Sequence, residues 1–89
     1  MFYVYVLENA EGDTYVGYSS DLKKRLAEHN RGHTRSTSKH TWRCIYYEAC
    51  LQPEDARRRE KYFKTTDGRR ALRSRLKVHF YQRRQPKSH

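Results

Sequence analysis

Two tyrosines, an arginine, a histidine and a glutamate in this sequence stand on faces that packing alone would fill with hydrocarbon. Alternation along Phe2-Tyr3-Val4-Tyr5-Val6-Leu7 puts Phe2, Val4 and Val6 on one face of a strand and Tyr3, Tyr5 and Leu7 on the other. In the run Thr14-Tyr15-Val16-Gly17-Tyr18, Tyr15 and Gly17 share a face. Leu22, Arg25, Leu26 and His29 fall at helical spacing, so a helix that buries its leucines brings Arg25 and His29 to the border of the same stripe. Ala56, Glu60 and Phe63 repeat the pattern with an acid among arginines. Together these are the parts needed to cut a phosphodiester: a proton acceptor for water, a cation for charge developing on the phosphoryl oxygens, and a carboxylate for a divalent metal. Each also has a plainer reading. A long cation snorkels at the edge of an apolar stripe, and a helical Glu pairs with a Lys four residues on, here Lys64.

The elements that must position these residues follow from local chemistry. Strand formers fill Phe2 to Leu7 and Thr14 to Tyr18, and Asn9-Ala10-Glu11-Gly12-Asp13 between them supplies the Asn, Gly and Asp of a hairpin loop. Ser19-Ser20-Asp21 caps a helix over Leu22 to His29, which Asn30 and Gly32 end. Residues 31–41 hold no aliphatic or aromatic hydrophobe until Trp42, which predicts a surface loop whose hydroxyls and cations are either solvated or hold phosphates. Trp42 to Leu51 returns to strand composition, with Trp42, Cys44 and Tyr46 on one face and Ile45 and Tyr47 on the other. Pro53, Glu54 and Asp55 open a second helix that runs to about Lys64. Thr65 to Gly68 interrupt the pattern, and Leu72, Leu76 and Phe80 then recur every four residues in a last helix. The expected architecture is α+β: a three-stranded antiparallel sheet flanked by three helices over residues 1–80, with a basic, disordered tail at 81–89.

Eighty-nine residues bound the chain to one domain. Leu, Ile, Val and Phe number only 14, a count on the disordered side for a chain of net charge +10, but eight Tyr and one Trp supply the area that closes a small core. The charge is uneven. Residues 1–56 hold 7 Lys and Arg against 8 Asp and Glu, whereas residues 57–89 hold 13 against 2. A net +11 over the last third repels itself unless a polyanion lies nearby, so nucleic acid is the expected partner. No run reaches the roughly 18 apolar residues of a membrane span, and no secretory leader is visible, which predicts a cytoplasmic protein without a membrane partner. Cys44 and Cys50, six apart on one strand, would be separated by about 20 Å and cannot bridge. Without a CxxC pair a zinc knuckle is not expected.

In order and spacing the chain resembles a GIY-YIG endonuclease domain over about residues 2–77, and in particular the small proteins made of that domain alone. Tyr3-Val4-Tyr5 stands for the family's first tripeptide, Tyr15-Val16-Gly17 for the second, Leu22 to Leu26 for the helix with the catalytic Arg, and Arg59-Glu60-Lys61 for the later helix with the metal-binding Glu. The chain departs from the pattern at Tyr3, where the family has Gly. It departs also at Tyr18, where several members have Lys, and at His29, where some have a third Tyr.

The resemblance implies a metal-dependent endonuclease that hydrolyses DNA phosphodiester bonds, with DNA ahead of RNA. Tyr5 and Tyr15 would frame the scissile phosphate, one of them accepting the proton of the attacking water. Arg25 would stabilise the transition state, Glu60 would ligate a single Mg²⁺ or Mn²⁺, Gly17 would allow close backbone approach, and His29 could move a proton or bind phosphate. Tyr18, Arg57, Arg58, Lys61 and Lys64 would contact substrate. With no appended DNA-binding domain, weak sequence specificity and a preference for branches, flaps or single strands are expected, or a protein partner that supplies specificity. Two other classes remain open from sequence: a non-catalytic module that stacks single-stranded bases on Tyr3, Tyr5, Tyr15 and Tyr18, and an adaptor that keeps only the fold.

Overall fold

The computed structural model of the chain describes residues 1–32 and 41–84. The loop expected at 31–41 falls mostly outside the described residues, as does the end of the expected tail. Strands β1 (Phe2–Asn9), β2 (Thr14–Ser19) and β3 (Trp42–Cys50) form one antiparallel sheet in the order β2-β1-β3. β1 is the central strand, and every residue from Val4 to Asn9 is buried. Helices α1 (Leu22–Asn30), α2 (Pro53–Phe63), α3 (Thr66–Arg75) and α4 (Lys77–Arg84) complete the fold.

Local chemistry sets the turns as expected. The side chain of Asn9 bends the hairpin by accepting the backbone N–H of Glu11 at 3.0 Å and of Asp13 at 2.9 Å. Asp21 caps α1 by accepting the Lys24 amide at 3.1 Å. Asn30, the last residue of α1, exchanges two hydrogen bonds with the Trp42 backbone, at 2.6 and 2.9 Å, and so ties the end of α1 to the start of β3.

The sheet has a helix-rich face and a one-helix face. Val4 and Val6 pack with Ala56 and Phe63 of α2 and Leu72 of α3. Tyr5, Leu7 and Trp42 pack on the opposite face with Tyr15, Cys44, and Leu22 and Leu26 of α1. Full burial of an aliphatic or Phe side chain contributes about 1.5–3 kcal/mol, so the first cluster supplies much of the folding free energy. Gly68 lets α3 start hard against the end of α2: a Cβ there would collide with the Tyr62 carbonyl.

Three expectations change. The single last helix is two, because Leu76 leaves helical geometry at φ −106°, ψ 34°; the Leu76 amide still reaches the Leu72 carbonyl at 2.8 Å, and a new helix starts beyond it. The spacing of Leu72, Leu76 and Phe80 passes unchanged through that break. The tail expected to be disordered from 81 is helical to Arg84. Its anchor is Glu8, buried on the same face as Val4 and Val6, which accepts from Arg83 at 2.6 Å and Arg43 at 3.2 Å and lies 2.9 Å from His79 Nε2. Finally, strict alternation fails in β3. The register slips between Val6 and Leu7, which pair with Tyr46 and Cys44, so Ile45 is extra. Trp42 and Cys44 therefore stay on the Tyr5 face while Tyr46 joins Ile45 on the other.

Candidate active site at the edge of the sheet

Tyr5 sits directly opposite Gly17 of β2, and Leu7 opposite Tyr15. Because Gly17 has no side chain, the Tyr5 ring lies flat across it; a Cβ there would fall on the ring and its hydroxyl oxygen. The close approach that Gly17 permits is thus by Tyr5 itself. Above this point α1 presents two polar side chains on its sheet-facing stripe, as the spacing of Leu22, Arg25, Leu26 and His29 requires. His29 is completely buried, with Nε2 2.8 Å from the Tyr5 hydroxyl. Its ring meets Tyr5 and Tyr15 edge-on at 5.7 and 4.9 Å between centroids, and Trp42 closes the far side of Tyr15 at 6.3 Å.

Arg25 covers the Tyr5 hydroxyl from the open side. Its Nη1 donates to Glu28 at 3.3 Å, and its Nε is buried and has no hydrogen-bond partner among the described residues. Glu28 lies three residues beyond Arg25, and that helical spacing is the sequence signal for this pairing. A buried N–H left unbonded costs about 1–3 kcal/mol, so Arg25 is held ready for an acceptor that the described residues do not provide.

The electrostatics follow from burial. Burial pushes the Tyr5 hydroxyl above its ordinary value, against the opposing pull of Arg25. Burial also holds His29 below the usual imidazole range, assisted by the charge of Arg25 and opposed by Glu28. Near neutral pH the imidazole is neutral, and in its Nδ1-protonated tautomer Nε2 accepts the Tyr5 proton. The Tyr5 hydroxyl beside it keeps the Arg25 guanidinium firmly protonated.

The acid comes from the other side of the sheet. α2 packs on β1 and β2, and Glu60 is near enough that its charge acts on Tyr5. Its Oε2 accepts from Lys64 at 3.0 Å, the plainer pairing that the sequence allows, while no hydrogen bond among the described residues engages Oε1. Among the described residues no group of three His, Cys, Asp or Glu could enclose a metal. A single hard carboxylate with a free oxygen nevertheless suits one hydrated Mg²⁺, which keeps several waters and shares its sphere with substrate phosphate.

Tyr5, Tyr15, Arg25, His29 and Gly17 are therefore brought together, with Glu60 at the rim. Tyr18 is not part of that group. It pairs opposite Val4 on the helix-rich face, stacked on Phe2 at 6.4 Å, with the Arg57 guanidinium 4.2 Å over its ring. Arg58 is exposed and paired with Asp55 at 3.5 Å, and Lys61 is exposed. A stacking face made of Tyr3, Tyr5, Tyr15 and Tyr18 is not open: Tyr5 is 1% exposed and Arg57 covers Tyr18. Beside the site, Tyr18, Ser19, Ser20, Asp21, Lys24 and Arg25 line a shallow open groove.

Comparison with known proteins gives the chain a family and relatives. A family model for the GIY-YIG catalytic domain matches residues 1–71. The chain is 42% identical over 64 residues to a UPF0213 protein of Streptococcus pyogenes serotype M5 (strain Manfredo), covering 70% of each chain. It is 39% identical over 67 residues to the UPF0213 protein in the ldhD 5'region of Pediococcus acidilactici, covering 71% of this chain and 68% of that one. A UPF0213 protein of Streptococcus agalactiae serotype V is 38% identical over 64 residues, with 70% and 73% covered. No solved structure gives a significant match.

Proposed function

The chain belongs to the GIY-YIG family, and from that premise we infer that it is a metal-dependent endonuclease acting on DNA, selective for structure and weakly selective for sequence. The observation that carries this reading is the buried Tyr5–His29 hydrogen bond of 2.8 Å, set beneath an arginine whose Nε has no acceptor among the described residues. Two buried aromatic groups with polar atoms are a poorer core than hydrocarbon, and together with the unbonded N–H they suit a phosphodiester.

The scissile phosphate is the missing acceptor for Arg25. The side chain is about a third exposed and rests on Glu28 and the Tyr5 hydroxyl, so a phosphate can compete for it and draw it outward. That movement uncovers the Tyr5 hydroxyl and places a fixed cation on the phosphoryl oxygens, where charge grows in the transition state. Tyr5 then faces the attacking water. His29, neutral and behind it, takes the phenol proton as the water gives up its own, so Tyr5 need never persist as a phenolate, which its burial disfavours. Tyr15 wedges the His29 ring in place, with Trp42 behind it. A bound Mg²⁺ or Mn²⁺ would be held by Glu60 and would supply charge neutralisation at the leaving oxygen.

The test is cleavage of linear, flapped, branched and single-stranded DNA and of RNA, in Mg²⁺ and then Mn²⁺, by the chain and by Glu60→Ala. Metal-dependent cutting that Glu60→Ala lowers by about 10²-fold or more while binding persists is the expected result. Cutting that is indifferent to Glu60, or equal binding with no cutting of any substrate, overturns the reading.

A further inference from the structure

The helix-rich face carries a groove of about 400 Å³ between β2 and the helices α3 and α4, within the range of small-ligand sites. Its floor is hydrocarbon and aromatic ring: Val16, Leu76 and Phe80, all only partly buried. Its rim is cationic. Lys64, Arg69 and Arg73 line it, and Arg69 and Arg73, one helical turn apart and exposed, have no carboxylate partner among the described residues. By contrast, Arg70 of the same helix is paired with Asp67, and Arg58 of α2 with Asp55. Arg83 closes the hairpin end and is already committed, to Glu8 at 2.6 Å and to the Gly12 carbonyl at 2.9 Å.

The groove also meets the candidate active site at two points. Lys64 on the rim bonds Glu60 at 3.0 Å, and Tyr15 of β2 lines its wall. A ligand lying in it therefore extends toward the edge of the sheet where Arg25 and Tyr5 wait. An anionic rim partner alone would explain the free arginines but leave the apolar floor unused. A duplex presents phosphates to such a rim and keeps its bases stacked inside, out of reach of the floor. An unpaired nucleotide satisfies both, with its phosphates on Arg69, Arg73 and Lys64 and its base against Phe80 and Leu76.

We propose that the β2–α3–α4 groove binds an unpaired nucleotide flanking the scissile phosphate, so that Arg69 and Arg73 make the protein select substrates with a single-stranded arm. The proposal rests on the nucleic-acid reading above and adds to it the site that chooses the substrate.

The experiment is binding without divalent metal, in EDTA, where no cutting occurs, so that failure of the nuclease reading and failure of this one are read separately. Fluorescence anisotropy compares a labelled single-stranded oligodeoxynucleotide, the same strand with abasic positions, and a blunt duplex. Arg69→Gln/Arg73→Gln is set against Arg70→Gln/Lys77→Gln, which removes equal charge from exposed positions outside the groove. Expected are a loss of about tenfold or more in single-strand affinity for the first double variant alone. The slope of log K against log salt should also fall by about 1.4, from roughly 0.7 per phosphate contact. Abasic strands should bind at least about fivefold more weakly to the unmodified chain. Equal losses for both double variants would reduce the groove to general charge and overturn the proposal. So would abasic strands that bind as well as intact ones, or anionic lipid vesicles that displace the oligonucleotide through the same two arginines.

Discussion

The two faces of one three-stranded sheet have opposite chemistry. Behind β1, Val4, Val6, Ala56, Phe63 and Leu72 form a hydrocarbon core, and its one buried acid, Glu8, is met by Arg43, Arg83 and His79. In front, Tyr5 and His29 occupy positions of equal burial, and the guanidinium above them has an N–H that the described residues leave unbonded. Successive residues of the same strand supply both faces, Val4 and Val6 to one and Tyr5 to the other. The difference teaches where each part of the free energy goes. The helix-rich face carries stability that the α1 face gives up in part, by burying a phenol and an imidazole where hydrocarbon would pack.

The comparison breaks most directly on the stable face. Phe63→Ala removes a ring that is 2% exposed and packed among Val4, Ala56 and Leu72, and should lower unfolding free energy by about 3–5 kcal/mol. At temperatures where the variant is folded, cleavage per folded molecule should be unchanged. Chemical denaturation beside an activity assay checks both; a site that fails while the chain is folded would mean that the faces are not separable.

Tyr5→Phe sharpens the comparison from the other side. It keeps the ring across Gly17 and deletes only the hydroxyl that bonds His29. Stability should fall by about 1–3 kcal/mol, whereas the cleavage rate should fall by about 10²–10⁴-fold with oligonucleotide affinity retained. Unaltered cleavage would remove Tyr5 from the mechanism and leave Tyr15 as the proton acceptor.

The smallest effect is in pH. Burial lowers the His29 pKa below 6.5, so between that value and its folded pKa the unfolded chain binds the extra proton and the folded chain does not. Stability is therefore complete above about 6.5 and declines as pH falls through that window. Denaturant midpoints at pH 7.5 and 5.5 should separate more for the unmodified chain than for His29→Gln. Equal separation would mean that another group governs the acid side.

Much of this was legible in the chain. The hairpin could be read because Asn9 makes its bonds within four residues, and the start of α2 because Pro53, Glu54 and Asp55 act on their own helix terminus. Tyr5, Tyr15, Arg25 and His29 were legible as a group because periods of two and 3.6 fix which side chains share a face. The break at Leu76 was not, since the apolar spacing runs straight through it. Nor was the slip at Ile45, which depends on how β3 docks on β1. Glu8 had a signal that was passed over: it continues the inward parity of Val4 and Val6, and an acid there requires cations from elsewhere in the chain.

By itself the sequence determined the strands, the starts of α1 and α2, the family pattern and which of Tyr5, Tyr15, Arg25 and His29 share a face, because these depend on neighbours within a turn or a pleat. Tertiary structure alone decided that Tyr5 would be sealed against Gly17 and bonded to His29, 24 residues away. It also decided that Glu60 would arrive from the opposite face, and that Arg83 would be spent on Glu8 while Arg69 and Arg73 met no carboxylate among the described residues. Those outcomes are set by long-range packing and by which charges find partners when the helices close on the sheet, and no local period records them.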